Sequence, residues 1–302
     1  MIWIIGVKGM LGQELLRQCD ESGIEHVDSD IDVDITDFDA LKSFAEGFDT
    51  ASITWIVNCS AYTAVDRAEE EEERARSINA LGVQNIARLA QEIGARVMHI
   101  STDYVFPGTE AKELSEEDAV GPVGAYGRTK LEGERLLAAH CSDYCIIRTA
   151  WLYGRFGKNF VYTMLKLMDS RESIRVVDDQ VGSPTLADDL VRAILGIIAR
   201  IQEASGEQRN KLFGLYHFSG SGRCSWYEFA GEIYRLGRAH GLLQQDCQVL
   251  PCSSDEYPSP AKRPAFSLLA KDKIVDRFNV SIPSWRDSLE YFIKSIDRNA
   301  IQ

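Results

Sequence analysis

Tyr126 and Lys130 are separated by Gly127, Arg128 and Thr129, a spacing that on a helix puts a phenol and an ammonium one turn apart on one face. Such a pair does proton chemistry. A cation beside a phenol favours the phenolate and draws its pKa from about 10 towards working pH. Upstream, Ser101-Thr102-Asp103-Tyr104 follows an apolar run, so Thr102 brings a hydroxyl to the end of an expected strand. Hydroxyl, phenol and lysine together suit delivery of a proton to an oxygen that is gaining negative charge. A second Tyr-x-x-x-Lys, Tyr162/Lys166, lacks a preceding Ser/Thr strand end and is set aside as the reacting pair.

A second constellation opens the chain. Gly6, Gly9 and Gly12 form GxxGxxG directly after the apolar run Ile2–Ile5 and before the helical pattern Leu11–Cys19. Glycines there allow a tight turn and let backbone N–H groups approach a pyrophosphate, which then sits on the positive end of the helix. Asp28, near the end of the next strand, stands where a carboxylate would accept the hydroxyls of an adenosine ribose. That placement suits NADH, whereas Lys8 inside the loop suits the 2′-phosphate of NADPH, so both cofactors stay open.

These groups need a frame. Apolar strands are expected at 2–5, 25–28, 54–58, 96–101 and 144–148, alternating with helices at 11–19, 37–48, 69–94 (one long helix) and 123–140. Strands alternating with helices mean a parallel sheet covered on both faces, a Rossmann-type doubly wound α/β fold. Residues 1–150 are expected to form the dinucleotide-binding domain, with later segments returning to it. Residues 151–302 are expected to supply most of a smaller α/β substrate-binding region, with helices at 160–168, 188–201, 225–239 and 285–296 and a strand at 214–219. The acidic run Glu69–Glu73 reads as a helix N-terminus with i,i+4 pairs Glu70–Arg74 and Glu72–Arg76. Asn79, a poor helix former inside the long helix, is open to a structural or relay role or to an exposed face.

Composition excludes several classes. With 45% hydrophobic and 26% charged residues the chain is an ordinary globular one. A net charge of -13 argues against a nucleic-acid partner, which needs a concentrated positive surface. No basic leader precedes Gly6 and no apolar run nears the length of a membrane span, so neither a signal peptide nor a membrane anchor is expected. The seven cysteines are scattered without a CxxC pair, so no zinc site is expected and the compartment reads as reducing cytoplasm.

The glycine loop, Asn58-Cys59-Ser60-Ala61 and the Thr102, Tyr126, Lys130 set resemble the extended short-chain dehydrogenase/reductase superfamily. Within it, the blocks 101–108 (STDYVFPG), 126–131 (YGRTKL), 148–153 (RTAWLY), 159–165 (NFVYTML) and 179–185 (DQVGSPT), continued by 214–217, Ser225-Trp226 and Arg263-Pro264, closely resemble the dTDP-4-dehydrorhamnose reductases over essentially the whole chain. The resemblance implies reduction of the C4 ketone of a dTDP-4-keto sugar by NADPH or NADH, the last step in making dTDP-L-rhamnose. It implies cofactor contacts at Gly9, Met10, Leu11, Asp28, Asp34, Ile35, Ala61, Tyr62 and Thr63, and catalytic roles for Thr102, Tyr126 and Lys130, with Lys130 also holding the nicotinamide ribose. Thr102, Asp103 and Trp151 match positions that line the sugar-nucleotide site, and Arg263 is expected as a diphosphate ligand, since a guanidinium fork suits phosphate, with a solvated loop arginine as the alternative.

Two departures stand out. Phe266 occupies the position two after Arg263-Pro264 where the family often has Asn. Some relatives dimerise through carboxylates sharing Mg²⁺. Glu14 and Asp188 match two of those positions, but Arg286 stands where a third acid is expected, and a cation does not ligate Mg²⁺. A monomer or homodimer is expected. Rival readings are a different sugar-nucleotide enzyme on the same scaffold, such as an epimerase, and a non-catalytic protein resembling a regulatory subunit of methionine adenosyltransferase. A dehydratase is disfavoured because Tyr104 replaces the Glu that follows Thr-Asp in those enzymes.

Overall fold

The structure is a computed structural model that describes residues 1–257 and 259–298. Its centre is a six-stranded, wholly parallel sheet. The strands are β1 (Ile2–Ile5), β2 (His26–Ser29), β3 (Trp55–Asn58), β4 (Arg96–Thr102), β5 (Tyr144–Thr149) and β6 (Gly214–His217), in the order β6-β5-β4-β3-β1-β2. Strands β1 and β3 are buried at every position, as the largely apolar strands of a sheet between two helical layers must be. The strand order reverses beside β1, and open α/β sheets bind ligands at the carboxyl ends of strands at such a point.

Helices α1 (Met10–Ser22), α2 (Phe38–Glu46), α3 (Val83–Ile93) and α4 (Ala125–His140) are the crossovers of the first half. Later come α5 (Phe160–Met168), α6 (Ala187–Glu203), α7 (Trp226–Ala239) and α8 (Trp285–Ser295). Three cores result. One face of the sheet packs on α2 and α3 through Trp3, Ile56 and Leu89; the other packs on α1 and α6 through Leu15, Val57 and Ile194. A third core joins α5, α7 and α8 through Leu165, Phe229 and Trp285. Among the described residues no helix is long and apolar enough to cross a membrane.

The expected strands and most helices are present with ends shifted by a few residues; Asp37, for example, is the N-cap of α2 rather than its first turn. A parallel pair, Ser173–Val177 with Gln248–Cys252, was not expected. The larger correction concerns residues 69–94, which are not one helix. A short helix Glu72–Arg76 runs into a π-helical segment, Ser77–Gly82, which continues as α3. Nor are the expected i,i+4 pairs formed. Glu72 pairs with Arg128 at 2.8 Å and Arg76 with Glu132 at 2.6 Å, both on α4, and Glu69 accepts the Ala125 backbone N–H at 2.8 Å. The acidic run thus caps and clamps the helix that carries Tyr126 and Lys130.

Asn79 accounts for the π-segment. It is buried; its Oδ1 accepts Tyr62 N–H at 2.8 Å, while its Nδ2 donates to the Tyr62 carbonyl and to Thr129 Oγ1, both at 3.2 Å. The widened turn pushes the Asn79 carbonyl against α4 at Gly133, where an added Cβ would lie 2.0 Å from that oxygen. Gly133→Ala is therefore expected to cost about 1–3 kcal/mol, read as a lower Tm, from overpacking against backbone.

Candidate functional site

A cavity of about 910 Å³ opens along the carboxyl ends of β1, β3, β4 and β5 and is lined by the glycine loop at one end and Thr102, Tyr126 and Trp151 at the other. The glycine loop is built for backbone contact. Gly6 has φ +86°, a conformation L side chains resist, and a Cβ on Gly12 would lie 2.1 Å from the Gly6 carbonyl, so α1 can press this close only with glycine there. Gly9 caps α1 in extended backbone without a side-chain hydrogen bond, and the first turn carries no acid. The leading N–H groups of α1 are thus left to an outside anion, and the loop fits a dinucleotide pyrophosphate.

At the far end of β2 the carboxylate facing the cavity is Asp30. Its Oδ2 accepts Lys8 N–H at 2.7 Å and its Oδ1 accepts Ile31 N–H at 2.9 Å. Asp28, two residues earlier, is exposed and lies outside the cavity lining, while Ser29 between them is buried and accepts the Trp3 indole N–H at 2.9 Å. Lys8, Asp34 and Ile35 also line the cavity.

β4 delivers Thr102 as its last residue, and the chain turns at once into a short 3₁₀ helix, Asp103–Val105. Thr102 Oγ1 accepts Tyr104 N–H at 3.2 Å and donates to Asp103 Oδ1 at 3.1 Å. Tyr126 enters from the first turn of α4, its ring held edge-on by Tyr104 at 5.5 Å. Behind them Glu134 takes both nitrogens of a bidentate Arg148 fork, at 2.9 and 2.6 Å, and the Ser101 hydroxyl. This buried pair ties α4 to the ends of β4 and β5, so hydroxyl and phenol keep a fixed relation.

Burial sets the electrostatics. Burial pushes the Tyr126 phenol up to about 12, the Asp103 charge adds to this, and the Thr102 hydroxyl pulls the other way. Lys130 does not depress it, contrary to the expectation from spacing. Burial lowers Lys130 itself to about 8, against smaller opposing effects of Glu134 and Cys59. Its Nζ donates to the Ile100 carbonyl at 2.6 Å and lies 3.2 Å from His99 Nε2. Asp103, also buried, is raised to about 6.

Comparison with known proteins places this geometry. The family model described as RmlD substrate binding domain matches residues 1–298. The chain belongs to the RmlD substrate-binding-domain family. A dTDP-4-dehydrorhamnose reductase of Sinorhizobium fredii is 42% identical over 77% of both chains. Among solved structures, a dTDP-4-dehydrorhamnose reductase from Clostridium acetobutylicum is 40% identical with a TM-score of 0.87, covering 97% of this chain and 98% of its own. The reductase from Bacillus anthracis, solved in complex with NADP, is 35% identical with a TM-score of 0.88, covering 98% and 99%.

In this RmlD-family chain the cavity gathers Gly6, Gly9, Met10, Leu11, Asp34, Ile35, Ala61, Thr63, Thr102, Asp103, Tyr126, Lys130 and Trp151 from the residues read in the sequence. It does not gather Asp28, Gly12, Tyr62 or Arg263. The Tyr62 hydroxyl donates to Glu71 at 2.8 Å, and Arg263 pairs with Asp66 at 3.1 Å. Trp151 has φ +49°, a strained conformation for a bulky residue, and stacks on Trp226 with ring centroids 3.6 Å apart. The set-aside Tyr162, on α5, donates to the Arg155 carbonyl in the preceding loop and does not line the cavity. Glu14 and Asp188, the carboxylates weighed for Mg²⁺, converge on Arg17, and among the described residues no group of three His, Cys, Asp or Glu side chains is placed to hold a metal ion. Sequence reasoning missed Asp30 and the His99 contact. Asp30 follows a strand whose end shifted by one residue; His99 had a signal, an ionisable residue amid an apolar strand.

Proposed function

We propose that this chain is an NAD(P)H-dependent oxidoreductase that reduces the C4 ketone of dTDP-4-dehydro-6-deoxy-L-mannose to give dTDP-L-rhamnose. The observation that carries the reading is one cavity running from a helix N-terminus without a side-chain cap to a hydroxyl, a phenol and a lysine. The names of the relatives, and the NADP held by one of them, support the substrate and cofactor class.

Gly9, Met10 and Leu11 would hold the cofactor pyrophosphate, and Asp30 with Lys8 would meet the adenosine ribose. When bound, the reduced nicotinamide supplies the hydride. Tyr126, protonated throughout the neutral range because burial holds its phenol high, gives its proton to the oxygen left by the ketone. Thr102 hydrogen-bonds that oxygen and orients it, and Lys130 restores the phenol. Asp103 and Trp151 border the sugar. Arg263 would reach a diphosphate by exchanging its Asp66 partner. In this reading residues 1–150 form the dinucleotide half, and residues 151–302 most of the sugar-nucleotide half. All seven cysteines are free, which suits a cytoplasmic enzyme, acting as monomer or homodimer.

The test follows NADPH absorbance, then NADH, with the 4-keto sugar nucleotide generated in situ. Rapid oxidation of either cofactor is expected, and the two rates rank them. Bound cofactor with no oxidation would move a different sugar or a non-catalytic role to the front.

A further inference from the structure

Trp151 stands in the cavity wall with φ +49°, a backbone that a bulky residue keeps only where its surroundings over-determine it. Those surroundings come from the block 179–185 and from Trp226, none of which lines the cavity. Thr185 holds the chain on both sides of the strained residue. Its hydroxyl donates to the Ala150 carbonyl at 2.6 Å, and its N–H donates to the Trp151 carbonyl at 3.2 Å.

The side chain sits in a slot. Val181–Gly182 pairs antiparallel with Cys224–Ser225, which fixes Gly182 relative to Trp226, the first residue of α7. Ser225 caps that helix by accepting the Glu228 N–H at 3.1 Å, and its hydroxyl donates to Asp178 Oδ1 at 2.5 Å. Trp226 lies on Trp151 with centroids 3.6 Å apart and planes 8° from parallel. A Cβ on Gly182 would lie 2.7 Å from Trp151 Cε2 and 2.9 Å from both flanking atoms, Cζ2 and Nε1. A carbon outside the ring in its own plane would be nearer those two than Cε2. This one is farther, so Gly182 covers a face of the indole. Trp226 already fills one face, and Gly182 therefore covers the other.

We propose that Gly182, Thr185 and Trp226 are positioning residues that hold the Trp151 indole pre-set in the cavity wall, so that it meets the sugar nucleotide with its ring edge and not with a face. An aromatic edge is the positive side of the ring quadrupole, and indole adds an N–H donor. Such an edge suits oxygen atoms, not a stacked base. At the end of the cavity shared with Thr102 and Tyr126, those oxygens are hydroxyls of the hexose. A ring ordered beforehand need not be ordered on binding, so the slot acts on substrate affinity more than on the chemical step. The identity of the ligand rests on the proposed function; the covering of both indole faces does not.

Two measurements test this. Stacked indoles couple their transitions, so wild type is expected to show a two-signed band in circular dichroism that Trp151→Phe and Trp226→Leu both lose. A wild-type spectrum without that band overturns the slot. In Trp226→Leu, KM for the 4-keto sugar nucleotide is expected to rise about tenfold while kcat stays within about threefold of wild type. Affinity for NAD(P)H, and inhibition by dTDP, which lacks the hexose, are expected to stay at wild-type values. Trp226→Phe keeps a ring on that face and is expected to restore KM. An unmoved KM in a folded Trp226→Leu protein overturns the proposal, and so does equal weakening of dTDP. Should Trp226→Leu fail to fold, Gly182→Ala, which crowds the opposite face by one carbon, is expected to raise KM in the same way, and an unmoved KM there overturns it. Wild type that shows the band but reduces no 4-keto sugar supports the slot and overturns the proposed substrate instead.

Discussion

Tyr126→Phe is expected to cut kcat for ketone reduction by about 10²–10⁴-fold, the usual contribution of a positioned proton donor, while cofactor affinity stays near wild type. The substitution removes one oxygen. Phe keeps the edge-on contact with Tyr104, and Glu69 still caps α4 one residue before position 126, so the scaffold has little reason to move. Thr102 keeps its bond from the Tyr104 backbone, but a threonine hydroxyl is a far weaker acid than a phenol and cannot take over. Cofactor oxidation under saturating conditions gives kcat, and quenching of protein fluorescence by added cofactor gives binding. A variant within threefold of wild type would assign the proton to another group.

The second large effect concerns stability. Asp103 is buried with its pKa raised to about 6 from 3.8, chiefly by loss of water. A carboxyl whose pKa rises on folding binds protons more tightly in the folded state, so its charge opposes folding once ionised. The cost is absent below about 3.8, grows between 3.8 and 6, and is fully present above 6. Its size is about 3 kcal/mol for a shift of this order. Asp103→Asn keeps an acceptor for Thr102 and removes the charge, so it is expected to raise Tm by several degrees at pH 8 and to lose that advantage towards pH 4. Thermal melts at pH 8, 6 and 4 decide this, and a variant less stable than wild type at pH 8 would show that the charge is compensated. A group kept at such a cost beside Thr102 and Tyr126 fits the exchange of stability for function common at reacting sites.

Much of this was legible in the sequence because each signal was local. Ile2–Ile5 is apolar throughout and Trp55–Val57 is apolar up to the final Asn58, and only a strand buried on both faces needs that. Tyr126 and Lys130 were found by helical spacing together with the Thr102 strand end upstream, which the equally spaced Tyr162 and Lys166 lack. What failed depended on distant partners. Periodicity over residues 69–94 does not reveal that Asn79 will bond Tyr62 and widen a turn. Charge spacing does not show that Glu72 and Arg76 look to α4 rather than along their own helix. Asp28 against Asp30 is a matter of where a strand stops, the least determined property of a sequence. The pair Ser173–Val177 and Gln248–Cys252 joins segments with half their residues exposed, so neither carries a strong apolar signature.

The sheet's order also governs how the chain can be made. β5 ends at Thr149, but β6, which covers its outer edge, begins only at Gly214, and α6, which seals one face of the sheet, begins at Ala187. On the ribosome the first five strands therefore emerge with a bare edge and an uncovered apolar face. Such a nascent intermediate is prone to pair with its neighbours until the later segments arrive. The sheet begun by residues 1–149 thus depends on segments after residue 186 for its completion, so the first 150 residues alone are not expected to fold stably.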